Sequence, residues 1–126
     1  MSGALDGVRV LDLSTLVQGP QAAAMLHDLG AEVLKIELPE IGDMGRHVGV
    51  IEELGTSVFW EACNRGKRSV TLDLRTDAGR EAFLKLVESS DVVLSNFQPG
   101  TLDGWGLGYD DLAAINPRII WAAGSF

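Results

Sequence analysis

The sequence predicts an α/β protein, a mostly parallel sheet with helices on both faces. Three observations carry this reading. Short apolar and β-branched runs recur along the chain, as expected of strands buried on both sides. Segments of helical composition lie between them. The first strand, helix and second strand fit within roughly thirty residues, the size of a βαβ unit.

The first strand is Val8-Arg9-Val10-Leu11-Asp12-Leu13, bounded by Gly7 and by Ser14-Thr15. A helix follows from Pro20 to Gly30. Proline suits a first helical turn, Ala22-Ala23-Ala24 favours helix, and Gly30 suits the cap. The second strand, within Ala31-Glu32-Val33-Leu34-Lys35-Ile36-Glu37, stops before Pro39. A third strand reads from Ser69-Val70-Thr71-Leu72-Asp73-Leu74. Thr76 then caps a helix whose apolar face is Phe83, Leu84, Leu86 and Val87, ending at Ser89-Ser90. Asp91-Val92-Val93-Leu94-Ser95 is a fourth strand. A short helix over 110–115 is stopped by Asn116-Pro117, and Arg118-Ile119-Ile120-Trp121-Ala122-Ala123 is the fifth strand. The cores of the five strands are predicted at 8–13, 33–36, 70–72, 92–95 and 119–122.

At 126 residues the chain has the size of one domain. Hydrophobic residues make up 46% and charged residues 22%, which is globular composition. Ten basic against eighteen acidic residues give a net charge of −8, and this balance argues against a nucleic-acid partner. No apolar run reaches the ~18 residues of a membrane span. The first residues carry neither a basic flank nor an apolar core of a signal peptide, so a cytoplasmic protein is expected. A single cysteine, Cys63, excludes an internal disulfide. His27 and His47 lack partners at metal-ligand spacing, and no metal is expected. The last strand runs straight into Gly124-Ser125-Phe126, at the sheet edge where ligand loops normally form. The expectation is an N-terminal piece of a longer protein.

Three segments can carry binding chemistry. Ser14-Thr15-Leu16-Val17-Gln18-Gly19-Pro20 is a strand-to-helix turn whose free amides can face an anion. It matches no nucleotide fingerprint, and its plainer reading is an ordinary βα turn. Asn64-Arg65-Gly66-Lys67-Arg68-Ser69 concentrates three cations in an acidic chain, suited to phosphate or carboxylate; its plainer reading is a solvated turn paired with nearby acids. Asn96-Phe97-Gln98-Pro99-Gly100 follows a strand and offers an amide and an aromatic face, or simply a turn closed by Pro-Gly.

Taken in order, several stretches resemble the family III CoA-transferases, which include formyl-CoA:oxalate and carnitine CoA-transferases and the alpha-methylacyl-CoA racemases. They are the runs from Leu5 to Leu13, Gly19-Pro20, Asp28 to Glu37, Asn64 to Leu74, Ala78-Gly79-Arg80-Glu81, Asp91 to Gly100, Leu107-Gly108-Tyr109 and Asn116-Pro117-Arg118. The resemblance implies a Rossmann-like domain, of which residues 1–126 form the N-terminal CoA-binding segment. It implies coenzyme A or acyl-CoA as substrate, a small carboxylic acid as second substrate, and an interlocked homodimer. In the transferases an aspartate carboxylate attacks the thioester to give a mixed anhydride, which CoA then opens. That aspartate matches no residue here, so no catalytic residue is assigned and the chain by itself is expected to be inactive.

What the resemblance carries over is binding. Leu16, Val17 and Gln18 match the loop beside the thioester. Leu72, Asp73, Leu74 and Arg75 match the stretch around the adenosine end, and Asn96, Phe97 and Gln98 match a loop lining the CoA channel. Lys67 and Arg68 are expected to meet the anionic part of CoA. Gln18 stands where members usually carry a small residue, and Leu38 and Gly104 stand at positions commonly Arg. The alternatives are an acyl-CoA racemase of the same family, which moves an α-proton, or a CoA- or nucleotide-binding module without chemistry.

Overall fold

The computed structural model describes residues 2–124, so Met1, Ser125 and Phe126, including the chain end discussed above, lie outside the described residues. The expected βαβ unit is formed by β1 (Arg9–Asp12), α1 (Gln18–Asp28) and β2 (Glu32–Glu37). Two small elements follow, a hairpin of β3 (Val50–Ile51) and β4 (Thr56–Ser57) and the helix α2 (Val58–Cys63). Next come β5 (Arg68–Thr71), α3 (Asp77–Glu88), β6 (Val92–Ser95), α4 (Thr101–Gly104), α5 (Tyr109–Ile115) and β7 (Ile120–Ala123).

The main sheet has the order β5-β2-β1-β6-β7, and every neighbouring pair is parallel. All five predicted strands are therefore present with the predicted direction. The chain builds outwards from β1 to one side and then returns to build the other side, which puts the reversal between β1 and β6. In open parallel sheets the crevice beyond the strand ends at such a reversal is where ligands bind.

Alternation of side chains along each strand sorts the core into two layers. Leu11, Ile36 and Val93 face Phe83 and Val87 of α3 and Leu112 of α5. Val10 and Val33 face the other way, towards Ala23 of α1 and Ala31. Helices thus cover both faces, and the charged residues at the next positions along β1 and β2 fall on the α1 side.

Helix ends follow local chemistry. The Thr76 hydroxyl accepts from the Gly79 N–H at 3.0 Å, the expected cap of α3. At the far end of α1, Gly30 takes φ +108° and the N–H groups of Gly30 and Ala31 return to the carbonyls of His27 and Leu26. Helix α1 starts two residues before Pro20, still within the first turn, where proline loses no intrahelical bond.

The third strand ends at Thr71 rather than continuing through Leu74. Leu72 still donates to the Glu37 carbonyl, but β2 ends there and Pro39 cannot extend the ladder. Asp73 then turns the chain, accepting from the Arg75 N–H at 3.1 Å. The segment over 40–63 had no predicted elements; its strands are two residues each, too short for a periodic signal. Among the described residues no helix is long and apolar enough to cross a membrane.

Candidate functional site

At the carboxyl ends of β1 and β2, two strands buried on both faces carry charge. Asp12 and Lys35 lie opposite each other in register, and their side chains are 0% and 1% exposed. Burial of charge is tolerated only with partners, and these partners are present. The Lys67 ammonium donates to Asp12 Oδ2 at 2.7 Å, to the Pro20 carbonyl at 2.8 Å and to Asn64 Oδ1 at 2.9 Å. Lys35 donates to the Ser14 carbonyl at 2.9 Å and lies 2.6 Å from Asp43 Oδ2. That oxygen has no well-directed hydrogen bond and is answered by the ammonium charge alone. Two carboxylates and two ammonium groups make the cluster neutral. Burial draws the Lys67 ammonium below the ordinary lysine range, with Asp12 opposing the shift.

The cluster fixes the loop between β1 and α1. Both the N–H and the hydroxyl of Ser14 donate to Asp12 Oδ1. The Thr15 peptide is held from the other side of the reversal: its N–H donates to Asn96 Oδ1, and Asn96 Nδ2 donates to its carbonyl, both at 2.8 Å. The Leu16 N–H donates to Asp43 Oδ1 at 2.8 Å. Leu16 sits at φ +73°, a conformation that costs a leucine about 1–3 kcal/mol. The loop is therefore locked by residues from four distant segments.

A second charged group flanks it. Glu37, 6% exposed, takes Arg46 through two bonds of 2.9 and 2.8 Å and also accepts from the Ser69 hydroxyl and the Asp43 N–H. The Arg46 guanidinium lies 3.4 Å from the ring centre of Trp60, a stacked cation–π contact. Burial pushes the Glu37 carboxyl up, but its bonds to Arg46, Ser69 and the Asp43 amide outweigh this and hold it at about 2. A depressed carboxylate stabilises the fold above its unfolded value, near 4.5, and the contribution disappears as pH falls towards 2. We expect the chain to lose about 2–3 kcal/mol from this group over that window. Acid titration of wild type and Glu37→Gln by circular dichroism checks it: the variant should show a shallower loss between pH 4.5 and 2.

Several predicted binding residues come together at the reversal. Leu16, Val17 and Gln18 are exposed on one side, and Asn96, Phe97 and Gln98 lie on the other. Phe97 packs edge-on against Trp105, with ring centres 5.6 Å apart, and lines a cavity of about 230 Å³ with Gln98, Trp121 and Gly124. Leu72, Asp73 and Arg75 stand apart, past the end of β5, two strand spacings from β1 and three from β6, about 10–14 Å. Arg75 is exposed and bonds the Asp73 carboxylate at 2.8 and 2.9 Å, which holds that carboxyl below its usual range.

Residues 5–125 match the model of CoA-transferase family III. The chain belongs to this family. Relatives that are CoA-transferases include the succinyl-CoA–D-citramalate enzyme of Chloroflexus aurantiacus, 46% identical over 92% of the chain. The acetyl-CoA:oxalate enzyme of Acetobacter aceti is 42% identical over 98%. The chain spans 29% and 31% of the lengths of these two relatives. A hypothetical protein from Mycobacterium tuberculosis superposes on 98% of the chain with a TM-score of 0.91 and 43% identity, the match covering 34% of its own chain. A CaiB/BaiF family protein from Brucella suis gives 0.89 at 44% identity, over 98% of this chain and 33% of its own.

Within this CoA-transferase family segment the expected basic cluster does not form one surface. Lys67 has all three donors engaged inside the protein and its side chain is 2% exposed, so none is left for a phosphate. Arg68 points out from the start of β5, at the opposite edge of the sheet, and pairs with Glu32. Leu74 is 1% exposed and belongs to the core between sheet and α3. The side chains of Lys67 and Leu74 therefore belong to the protein interior rather than to an exposed surface. Asp12, Lys35 and Asp43 were missed as a unit. The available signal was charge inside strands otherwise apolar on both faces, Val-Leu-Asp-Leu and Val-Leu-Lys-Ile. Among the described residues no group of three or more His, Cys, Asp or Glu stands together as a metal site.

Proposed function

We propose that this chain supplies the CoA-binding part of a CoA-transferase that moves CoA from an acyl-CoA to a small carboxylic acid. The observation that carries the reading is the crevice at the β1–β6 reversal, lined on both sides by family-matched loops. The thioester end of CoA lies against Leu16, Val17 and Gln18, with Asn96, Phe97 and Gln98 as the facing wall. The adenosine end runs along the strand ends towards Leu72, Asp73 and Arg75. An elongated ligand can touch both groups; a compact one cannot. With Lys67 buried, Arg46 and Arg75 are the cations on this edge that serve the phosphates, while Arg68 on the far edge does not.

The attacking carboxylate comes from elsewhere in the protein. Asp12 and Asp43 are locked in ion pairs, and Asp73 is bound by Arg75. Each would have to give up a buried or bidentate partner to act as a nucleophile. The working enzyme is a homodimer in the cytoplasm, as the resemblance implies.

The test compares this 126-residue chain with the whole protein that carries it, using succinyl-CoA or acetyl-CoA and a panel of dicarboxylic acids. The whole protein should transfer CoA and the chain alone should not. Steady transfer by the chain alone would show that one of its own carboxylates is catalytic. Exchange of the α-proton of a 2-methylacyl-CoA without transfer would assign the racemase activity instead.

A further inference from the structure

Leu16 is held in the left-handed conformation by a closed set of buried contacts. Its N–H donates to Asp43 Oδ1, which also accepts from the Gly45 N–H at 2.7 Å. A side chain at Gly45 would bring a Cβ to 3.1 Å from that oxygen and 3.3 Å from the Leu16 carbonyl, so glycine lets the two segments approach. The other Asp43 oxygen faces Lys35, and Lys35 holds the Ser14 carbonyl. The path from Ser14 through Lys35 and Asp43 to Leu16 therefore bridges the ends of the turn.

A left-handed turn ordinarily uses glycine or asparagine. Leucine here accepts strain, and in this loop after β1 Leu16 and Val17 are 37% and 38% exposed, although both are apolar. Strain that the surroundings over-determine at a ligand loop points to pre-organisation.

We propose that Asp43 is a positioning residue: it holds Leu16 left-handed so that Leu16 and Val17 form the apolar wall of the crevice at the thioester end of CoA. This rests on the CoA reading above. Asp43 acts through the loop and touches no ligand itself.

The test uses the whole protein, with acetyl-CoA and adenosine 3′,5′-bisphosphate, the nucleotide end of CoA, as calorimetric probes. Asp43→Asn loses the charge facing Lys35 and sets an amide NH2 either against that ammonium or, flipped, against the Leu16 N–H, so the clamp on Leu16 is released. It should weaken acetyl-CoA tenfold or more, leave the bisphosphate within twofold, and speed amide exchange at Leu16 at least tenfold. Equal weakening of both probes would mean a general structural role and overturn the proposal, as would unchanged acetyl-CoA affinity. Leu16→Asn keeps the buried ion pairs and suits the left-handed turn, so it decides the matter if Asp43→Asn does not fold. It should weaken acetyl-CoA about fivefold with the bisphosphate unchanged; no loss overturns the wall. Should the wild-type protein bind neither probe, the CoA reading falls. Leu16 exchange then decides the clamp alone: faster exchange in Asp43→Asn supports it, and unchanged exchange overturns it.

Discussion

Replacing Lys67 with methionine is expected to destabilise the chain by about 3–5 kcal/mol, the range for breaking a buried ion pair and leaving its partner uncompensated. Asp12 loses its closest cation at 2.7 Å, and the Pro20 carbonyl and Asn64 lose their donor. Lys35, 3.7 Å from Asp12, is already engaged with Asp43 and Ser14, so it compensates only in part. Arg68→Gln should cost less than about 1 kcal/mol, because its partner Glu32 is a surface carboxylate that Arg9 also contacts. Denaturant midpoints for the two variants make the comparison. Similar small losses in both would mean that Lys67 is not the internal cation described, and that the two residues form one surface patch after all.

Asn96→Ala should cost about 2–4 kcal/mol and also open the crevice. Two hydrogen bonds are lost at once, and both the donor and the acceptor of the Thr15 peptide are left half-buried without their partner. Because that amide ties the β1 loop to the end of β6, its loss separates the two walls of the proposed CoA site. Asn96→Asp keeps the acceptor for the Thr15 N–H but sets an oxygen against the Thr15 carbonyl, so it should not rescue. Urea unfolding gives the first number, and calorimetry with CoA on the whole protein should show at least a tenfold loss. Stability lost with CoA affinity intact would remove Asn96 from the binding wall and leave it a loop tie.

The two variants differ in what announced them. Lys67 stood out in the sequence for its charge, yet sequence neighbours could not reveal its direction. The side chain turns inward because Asp12, fifty-five residues earlier in the chain, needs a cation in a strand covered on both faces. Asn96 stood out by its place after a strand, and the structure gives it a defined task between two loops. Leu74 lies in the stretch that resembles the family's adenosine end, and the turn at Asp73 places its side chain in the core.

Local sequence was sufficient for the five-stranded sheet, for α1, α3 and α5, and for the family, but not for the hairpin, α2 or α4. Strand periodicity, Thr76 as a cap, Gly30 at φ +108° and Pro117 after the last helix depend on a few adjacent residues, so they can be read from the chain directly. The ordered family motifs likewise survive as strings. Only tertiary structure decided which charges are internal, because pairing between Asp12, Lys35, Asp43 and Lys67 joins four segments that are distant in sequence. A lysine directly before one strand and another inside a strand look alike in a composition count. Burial separates them from surface cations: desolvation forces each to find a carboxylate, and the search for those partners locks the loop at Leu16.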